Sequence, residues 1–494
     1  MAESLTAAAP ASPDAIVVGA GPNGLAAAVT LARAGLAVEV IEGAAEPGGG
    51  CRTQELTLPG FRHDICSAVH PLAAASPFFL GAGLGRHGLR LLYPEVAFAH
   101  PLDGGRAAAV AGSVTETAAW LGADEARYRR LMDPLVRAAA AIVPEVLAPL
   151  RSVPARPVPM ARFGLPGLLP ATVLAAAFRT DEARGLLAGV AGHSMLPLSS
   201  PLTGGFGLLL TLLGHSPGWP VAEGGSAAIT AALIAELAGH GGAVTTGRYV
   251  TRLAELPRTS LVLLDVSPRQ FAAMAGGALP AGYLRSLRRY RYGPGVCKVD
   301  WALDGPVPWQ AGACRQAATV HVGGRFEDIA ASEADVAAGR HPVRPYCLVA
   351  QPGVIDPTRA PVGQQTLWAY CHVPSGSAAD MSDRIEAQIE RFAPGFRDLI
   401  LARSIRTAAD MERHDPNYVG GDINCGAGTL RQTVFRPVPR WNPYRTPLPG
   451  VYLCSSATPP GGGVHGMCGA GAARAALADL ASGRIIRTGT AGTR

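Results

Sequence analysis

The sequence predicts an α/β fold, α+β overall, in which a domain built on a parallel sheet is interleaved with a domain of helices and antiparallel strands. The first part of the chain alternates strand and helix, as βαβ units do. A helical, Ala/Leu/Arg-rich region runs from Val114 to Leu213, and short strands are expected over Ala243 to Leu253. β-rich segments separated by Gly, Pro and Asp turns begin at Val296 and are followed by a helix from Ser382 to Phe392. A strand, glycine turn and helix return over Gly450 to Ser482, so the parallel-sheet domain is discontinuous in sequence.

The first βαβ unit extends from Ala15 to Glu42. Ile16 to Val18 are a short apolar run that predicts a buried strand. Leu25 to Arg33 are rich in alanine and predict a helix that closes at Gly35. Val38 to Ile41 predict the next parallel strand, which lies directly before the acid.

The turn between the first strand and the helix fits the pattern G-x-G-x-x-G, with the residues Gly19, Ala20, Gly21, Pro22, Asn23 and Gly24. The first glycine permits a tight turn, the second lets the backbone approach a pyrophosphate, and the third lets helix and strand pack closely. Phosphates would lie at the helix N-terminus, where free N–H groups favour anions. Glu42 is placed to accept hydrogen bonds from ribose hydroxyls. This order predicts a Rossmann-like dinucleotide site, whereas the similar run Gly81 to Gly85 follows no strand and predicts a loop.

The segment after Glu42 indicates which dinucleotide binds. Pro47 to Thr53 reads PGGGCRT, and FAD proteins of the glutathione-reductase-like superfamily carry a G-G-R-x-R-T type segment at this place. Further matching segments cover residues 59–64, 223–226, 261–268 and 461–469. On these motifs the chain resembles the phytoene desaturase (phytoene dehydrogenase-related) family of FAD oxidoreductases, which is related to amine oxidases and Rab GDP-dissociation inhibitors. The resemblance extends from Ala15 to about Leu480.

The resemblance implies two interleaved domains and an FAD site. The FAD-binding domain would comprise residues 14–90, 219–295 and 445–485. The substrate-binding domain would comprise residues 91–218 and 296–444, with a helical part over 114–213 and an antiparallel sheet over 296–440. Besides the six turn residues, the implied FAD contacts are Glu42, Gly49, Gly50, Arg52, Val250, Ser455, Gly463, Val464, His465, Gly466 and Met467.

Two departures from the family pattern concern these contacts. Gly50 stands where the family has the first arginine of its G-G-R-x-R-T segment, which leaves Arg52 as the cation near the cofactor. The acid that often ends the C-terminal strand, and would bind the ribityl chain, is absent from Tyr452 to Ala457. Serine hydroxyls, with Ser455 first, are the available replacement.

Two histidines are candidates for chemistry. A helix beginning near His465 would direct N–H groups at the flavin edge, where the reduced form concentrates negative charge. We expect a backbone contact from His465, with proton transfer by its side chain as the alternative. His70 follows the segment that leads to the flavin face in related folds, and histidine is the default acid or base. A hydrogen-bonded structural histidine is the alternative there.

Other polar residues are assigned to the pocket or to the protein interior. We expect His193, Tyr418 and Asp422 to line the substrate pocket. Asp64 is expected to accept internal hydrogen bonds. No G-x-S-x-G elbow is present, which argues against a serine hydrolase.

The resemblance implies a dehydrogenase or desaturase that transfers hydride from an apolar organic substrate to flavin N5 and forms a C=C or C=N bond. Only one dinucleotide pattern has the required strand context, so dioxygen, a quinone or another acceptor is favoured over a nicotinamide for reoxidation. No C-x₄-C pair follows the glycine segment, which argues against a disulfide reductase. The alternatives are a redox-neutral flavin isomerase, a non-enzymatic carrier resembling the Rab inhibitors, and an amine oxidase. An aromatic cage would favour the amine oxidase, but aromatic residues make up only 6% of the chain.

Composition excludes several other classes. The net charge is +6 and the arginines are scattered, which argues against a nucleic-acid partner. Nine cysteines show no C-x-x-C pair or zinc spacing, so we expect no metal site and reduced thiols in a cytoplasm. Met1 to Pro13 lacks the pattern of a secretory signal and is expected to be a loose tail.

Membrane contact is an alternative interpretation of one apolar segment. Phe163 to Phe178 is too short to span a bilayer and is broken by prolines. We expect a loop and core helix of the substrate domain here. Four arginines flank the segment and leave open a peripheral membrane contact: Arg151, Arg156, Arg162 and Arg179.

Overall fold

The fold is described from a computed structural model over residues 12–150 and 153–486. Arg151 and nearly all of the Met1 to Pro13 segment lie outside these residues. Two large sheets and a layer of helices make up the described part of the chain.

The first sheet is parallel and has five strands. In spatial order they are Val451–Leu453, Leu261–Leu264, Ala15–Val18, Val38–Ile41 and Ala243–Thr245. One face packs against the helices Pro22–Arg33, Ala227–Gly239 and Met467–Ala481, and the other packs against Pro268–Met274 and Ala281–Arg288. The central strand Ala15–Val18 is fully buried, as expected for a sheet covered on both faces. The predicted βαβ unit is therefore confirmed, and its helix begins at Pro22 rather than Leu25.

The second sheet has seven strands; the five from residues 295–406 pair antiparallel, as predicted, and two earlier strands that the sequence did not assign to it make the whole sheet mixed. In spatial order they are Ile400–Arg406, Gly295–Leu303, Gln365–Val373, Cys347–Ala350, Thr319–Val322, Val96–Leu102 and Arg106–Ala111. The last two come from before the helical region, and Val96–Leu102 pairs with Thr319–Val322 in parallel. Every residue of Val96–Leu102 is buried, so this hairpin extends the sheet core.

Shorter elements surround this sheet. The helices that flank it are Gly312–Gln316, Phe326–Ala337, Ser382–Phe392 and Ala408–His414. A short helix, Leu430–Phe435, follows later in the chain. The helix Ser382–Phe392 has the bounds that the sequence predicts. Two small antiparallel pairs join Thr53–Gln54 to His63–Asp64 and Leu91–Leu92 to Val221–Ala222.

In sequence, the helical layer follows the hairpin and precedes the second part of the parallel-sheet domain. Its helices are Val114–Ala119, Glu125–Arg137, Ala139–Val146, Pro157–Gly167, Ala171–Ala175, Asp181–Ala191 and Thr203–His215. The apolar segment at Phe163 is divided between two of these helices, because Pro170 precedes the second one. None of the helices in the described ranges is long and apolar enough to cross a membrane.

Two local predictions were wrong. The Gly81 to Gly85 run is not a plain loop, because it joins the helix Pro77–Ala82 to a 3₁₀ turn over Leu84–His87. Gly83 makes the junction with φ of +63°, a conformation that favours glycine. The short strands predicted over Ala243 to Leu253 reduce to Ala243–Thr245.

Candidate active site

One cavity of about 1060 Å³ lies where the carboxyl ends of the parallel strands meet the second sheet and the helical layer. The carboxyl edge of a parallel sheet is where open α/β folds bind ligands. Its walls include the glycine turn at one end and apolar side chains of the helical layer at the other. Cofactor and substrate residues predicted from distant parts of the sequence are thus brought together.

The glycine turn has the geometry that close phosphate approach requires. Gly19 has φ of +102°, and a Cβ on Gly24 would lie 2.0 Å from the Gly19 carbonyl oxygen. Gly21 lines the cavity directly before the 12-residue helix Pro22–Arg33. A side chain at Gly21 would meet only a carboxylate oxygen of Asp265, at 3.0 Å, and would otherwise enter the cavity.

Glu42 is fixed at the end of its strand by main-chain donors. The N–H of Ala20 donates to Oε2 at 2.7 Å and the N–H of Ala44 donates to Oε1 at 2.8 Å. Arg52 Nη2 lies 3.8 Å from Oε1. Because each carboxylate oxygen accepts two hydrogen bonds, Glu42 retains acceptor capacity toward the cavity that it lines.

The Gly48 to Arg52 segment explains one departure from the family pattern. Gly49 packs against Gly21, and a Cβ on Gly50 would lie 2.6 Å from the hydroxyl of Tyr418. The tyrosine therefore occupies the space that a side chain at position 50 would need. Arg52 lines the cavity, and its Nε is buried without a hydrogen-bond partner.

Asp265 is a cavity residue that the sequence analysis missed. Its Oδ2 accepts a hydrogen bond of 2.8 Å from the N–H of Gly24. Burial raises its pKa to about 8, and the negative charges of Asp415 and Glu42 add to the shift. A neutral carboxyl here would not repel a bound phosphate. The sequence could have pointed to Asp265 by its position, because it directly follows the strand Leu261–Leu264 at the carboxyl edge of the parallel sheet.

The C-terminal glycine turn only partly matches the prediction. Ser455, Gly463, Val464 and His465 line the cavity, but Gly466 and Met467 are not part of its wall in the described structure. The Met467 side chain packs into the core of the helical layer instead. The Ser455 hydroxyl donates to the carbonyl of Val266 at 2.8 Å, so the serine braces the loop.

The His465 ring is held by the main chain on both sides. Its Nδ1 accepts a 3.0 Å hydrogen bond from the N–H of Met467, and its Nε2 therefore donates to the Gly461 carbonyl at 3.1 Å. Burial lowers the pKa of His465 to about 4. With both nitrogens engaged, the ring shapes the turn and has no free position for proton transfer.

His70 differs because one of its ring nitrogens has no partner. The Ser226 hydroxyl gives its proton to the Ser67 carbonyl, so it accepts from His70 Nε2 at 3.0 Å. The other nitrogen, Nδ1, is then a lone-pair acceptor, buried and unpaired at the cavity wall. Burial lowers the pKa of His70 to about 4, so the ring is neutral near pH 7.

Asp64 is an internal hydrogen-bond acceptor, as predicted. It accepts from the Thr53 hydroxyl, the Ser226 N–H and the guanidinium of buried Arg359, all within 2.8 Å. Burial alone would raise the Asp64 pKa, but Arg359 and these hydrogen bonds leave it below its ordinary value.

The three predicted pocket residues divide between the cavity and a loop. His193 and Tyr418 line the cavity, together with Trp219, which was not predicted from the sequence as a site residue. Asp422 lies outside the cavity wall, contrary to expectation. It accepts from the N–H groups of Gly293, Asn424 and Gly426 at 2.7–2.9 Å and so organises the loop behind the site.

The cofactor end fits a dinucleotide by observations independent of any motif. Two buried polar atoms of cavity-lining residues, Asn23 Oδ1 and Arg52 Nε, lack hydrogen-bond partners. The space beside Gly21 would be filled by a side chain. Val250 also lines this end and can present backbone to an adenine. These residues suit an anionic nucleotide with ribose hydroxyls.

Comparisons with known proteins agree with this architecture. A family model described as an NAD(P)-binding Rossmann-like domain matches residues 17–77. Over 94% of both chains, the sequence is 28% identical to pyridine nucleotide-disulfide oxidoreductase domain-containing protein 2 of Rattus norvegicus. It is 31% identical to 4,4'-diapolycopen-4-al dehydrogenase of Metabacillus indicus, over 25% of this chain and 26% of that one. The fold is similar to cyclohexylamine oxidase from Brevibacterium oxydans, with a TM-score of 0.60, 16% identity, and coverage of 95% and 100% of the two chains.

Proposed function

We propose that the protein is an FAD-dependent oxidoreductase of the dehydrogenase or desaturase type, which removes hydride from an apolar organic substrate and forms a C=C or C=N bond. The observation that carries the proposal is the continuous cavity, whose cofactor end extends into an apolar end. When bound, FAD supplies the hydride acceptor, and the protein supplies orientation and electrostatics.

The chain's own residues have separate tasks in this proposal. Glu42 binds the ribose, and the turn at Gly21 admits the pyrophosphate. His70 is placed to take the proton that leaves when a C=C bond forms, because its Nδ1 is an unpaired acceptor. Apolar side chains of the helical layer hold the substrate and exclude water. Dioxygen, a quinone or another acceptor would reoxidise the bound cofactor.

The test begins with the purified protein. We expect a yellow protein that releases FAD on denaturation. Cell extract incubated with and without it should show, by mass analysis, paired losses of two hydrogens. A folded, colourless protein that cannot be reconstituted with FAD would support the carrier alternative. A flavoprotein that changes retention time but no mass would support the isomerase.

A flavin amine oxidase is the second candidate, because one wall of the cavity is aromatic. Trp368 and Tyr370 stack with ring centroids 5.5 Å apart, and Tyr418 lines the same cavity. This arrangement fits the aromatic cage that would distinguish an amine oxidase. Hydrogen peroxide and aldehyde formed from simple alkyl amines would identify this activity, and their absence alongside a two-hydrogen loss would exclude it.

We also propose that the protein contacts anionic membrane surfaces through residues 153–179. Large apolar side chains are exposed there, with Leu165 at 70% and Val173 at 51%, beside exposed Arg156, Arg162 and Arg179. Leu168 is both exposed and part of the cavity wall, so the patch adjoins the substrate end. An apolar surface rimmed by cations suits an anionic bilayer.

Vesicle flotation tests this contact. Wild-type protein should float with vesicles containing phosphatidylglycerol and less with pure phosphatidylcholine. Leu165→Ser should reduce flotation, whereas Val362→Ser, at a fully exposed apolar residue outside the patch, should not. Equal loss in both variants, or no flotation by the wild type, would contradict the proposal.

A further inference from the structure

Two histidines from different elements meet at the substrate end of the cavity. His193 lies in the 3₁₀ turn Gly192–Ser194 after the helix Asp181–Ala191, and it is partly exposed to the cavity that it lines. Its Nε2 is 2.8 Å from Nε2 of His321, a fully buried residue on the strand Thr319–Val322. Trp219 packs edge-on against both rings, with centroid distances of 5.6 and 5.7 Å.

The contact between these nitrogens is a neutral hydrogen bond. Burial lowers the pKa of His193 to about 3, with a contribution from His372, and burial holds the pKa of His321 well below its ordinary value. Both rings are thus uncharged near pH 7. A neutral imidazole carries one N–H, so one ring donates across the 2.8 Å contact and the other accepts.

The surroundings of His321 decide the direction of this bond. Its Nδ1 is buried and has no hydrogen-bond partner. If Nδ1 carried the proton, a buried N–H donor would be left without an acceptor, an arrangement that proteins rarely tolerate. The proton therefore belongs on Nε2 of His321, which donates to Nε2 of His193. His193 must then carry its own proton on Nδ1.

We infer that His193 donates a hydrogen bond from Nδ1 to an oxygen of the bound substrate, and that His321 is the positioning residue that fixes this tautomer. Identifying the ligand as the substrate rests on the proposed function. The neighbouring wall is apolar, with Phe206, Leu209 and Leu210. The ligand is therefore an apolar molecule with a hydrogen-bond-accepting oxygen, such as a carbonyl or ether. An alkylammonium group would put donor against donor at this point.

The tautomers are measured directly by ¹⁵N NMR of histidine-labelled protein, with His193→Leu and His321→Leu used for assignment. We expect the proton on Nδ1 in His193 and on Nε2 in His321. His321→Gln should preserve the His193 tautomer, because a glutamine amide can donate to Nε2, whereas His321→Leu should mix the two forms. A wild-type His193 with its proton on Nε2 would overturn the inference.

Binding of two small probes tests the consequence. 2-Octanone only accepts hydrogen bonds, and 2-octylammonium only donates them. His193→Leu should weaken 2-octanone binding by about two- to tenfold, the effect of one net hydrogen bond, without weakening the ammonium. His215→Leu removes another half-buried histidine of the helical layer, bonded to Tyr128 at 2.7 Å, and should change neither. Weaker binding of the ammonium alone in His193→Leu would contradict the inference.

Failure of this inference can be distinguished from failure of the proposed function. The NMR and probe measurements use the protein as purified and do not require turnover. A protein that shows the expected tautomers and probe preference but never binds FAD would contradict the proposed oxidoreductase function. It would leave the inferred hydrogen bond from His193 to the ligand intact. A flavoprotein in which His193 carries its proton on Nε2 would support the oxidoreductase and contradict the inference. Its preferred substrates would then be hydrogen-bond donors such as alcohols and amines.

Discussion

The two ends of the cavity are built by different means. The cofactor end is made mainly of backbone, with glycines whose missing side chains create the space and with the Glu42 carboxylate held by two N–H groups. The substrate end is made of side chains from the helical layer and the second sheet, including the half-buried His193 and the buried His321. The motif at the first end, Gly19 to Arg52, is local in sequence even though Asp265 and Ser455 join it from far along the chain, whereas His193 and His321 at the second end lie 128 positions apart.

The two ends therefore select their ligands differently, the cofactor end by the shape of its space and the substrate end by individual side-chain contacts. At the cofactor end, a single added side chain would fill the site. At the substrate end, each residue contributes one contact, and hydrogen-bond direction decides what binds. We therefore expect abrupt loss from changes at the first end and graded, ligand-dependent effects from changes at the second.

The largest effect is expected at Gly21. Gly21→Val should abolish FAD binding, because its side chain would occupy the place of the pyrophosphate. Gly81→Val is the matched control, since a Cβ at Gly81 would meet no atom within 4 Å. Flavin absorbance of the two purified variants, with circular dichroism as a folding check, is the measurement. Retained FAD in folded Gly21→Val would show that the turn does not hold the pyrophosphate.

His70 provides the next largest effect. If His70 accepts the substrate proton, His70→Ala should slow flavin reduction by ~10²–10⁴-fold, the usual range for acid–base catalysis, while FAD remains bound. His63→Ala is the control, because His63 is another buried histidine, bonded to Thr57 at 2.8 Å and outside the cavity wall. The rate is followed in single turnovers with the substrate found in the extract assay. A loss below about threefold would make His70 a structural residue.

The same contrast explains what the sequence could predict. The turn at Gly19 to Gly24 and the acid Glu42 were found because each is a local requirement of backbone geometry, visible at fixed spacing. The first parallel strands and the helix Ser382–Phe392 were found from hydrophobic period for the same reason.

The remaining features depend on partners distant in sequence. The hairpin that begins at Val96 joins a sheet whose other strands come two hundred residues later, so composition could not place it. Asp422 is an acid of the kind that often lines pockets, but it accepts hydrogen bonds from three main-chain N–H groups and so has a structural role. The hydrogen bond between His193 and His321 could not be predicted from the sequence, because neither residue belongs to a motif.

Glu42 tests whether a charged contact at the cofactor end behaves as sharply as its glycines. Glu42→Gln should weaken FAD binding by roughly 1–3 kcal/mol, the range for a charged hydrogen bond, without changing the chemistry of the bound fraction. Glu39→Gln alters an acid on the same strand that bonds to Thr245 at 3.0 Å, outside the cavity wall. Titration of both apoproteins with FAD gives the comparison. Equal affinities would show that Glu42 is not the ribose ligand.

The smallest expected effect concerns protonation at the cofactor end. Burial raises the pKa of Asp265 from its ordinary 3.8 to about 8, so the folded state favours the neutral carboxyl. The neutral Asp265 carboxyl therefore contributes fully to the free energy of unfolding below about pH 3.8. This contribution is lost as the pH rises toward 8, because the unfolded chain then ionises first. The amide introduced by Asp265→Asn would stay neutral throughout. The melting temperature of this variant minus that of the wild type should therefore increase by a few degrees from about pH 5 to about pH 8 and then level off.

Asp64 supplies the control of opposite sign. Arg359 and its hydrogen bonds overcome the effect of burial and lower the pKa of Asp64, so the ionised form stabilises the fold above its ordinary pKa and this contribution is lost as the pH falls. Asp64→Asn should therefore be less stable than the wild type near pH 7, with the gap closing in acid. If Asp265→Asn followed the same course as Asp64→Asn, Asp265 would be ionised in the folded protein, and the pyrophosphate would have to bind beside a negative charge.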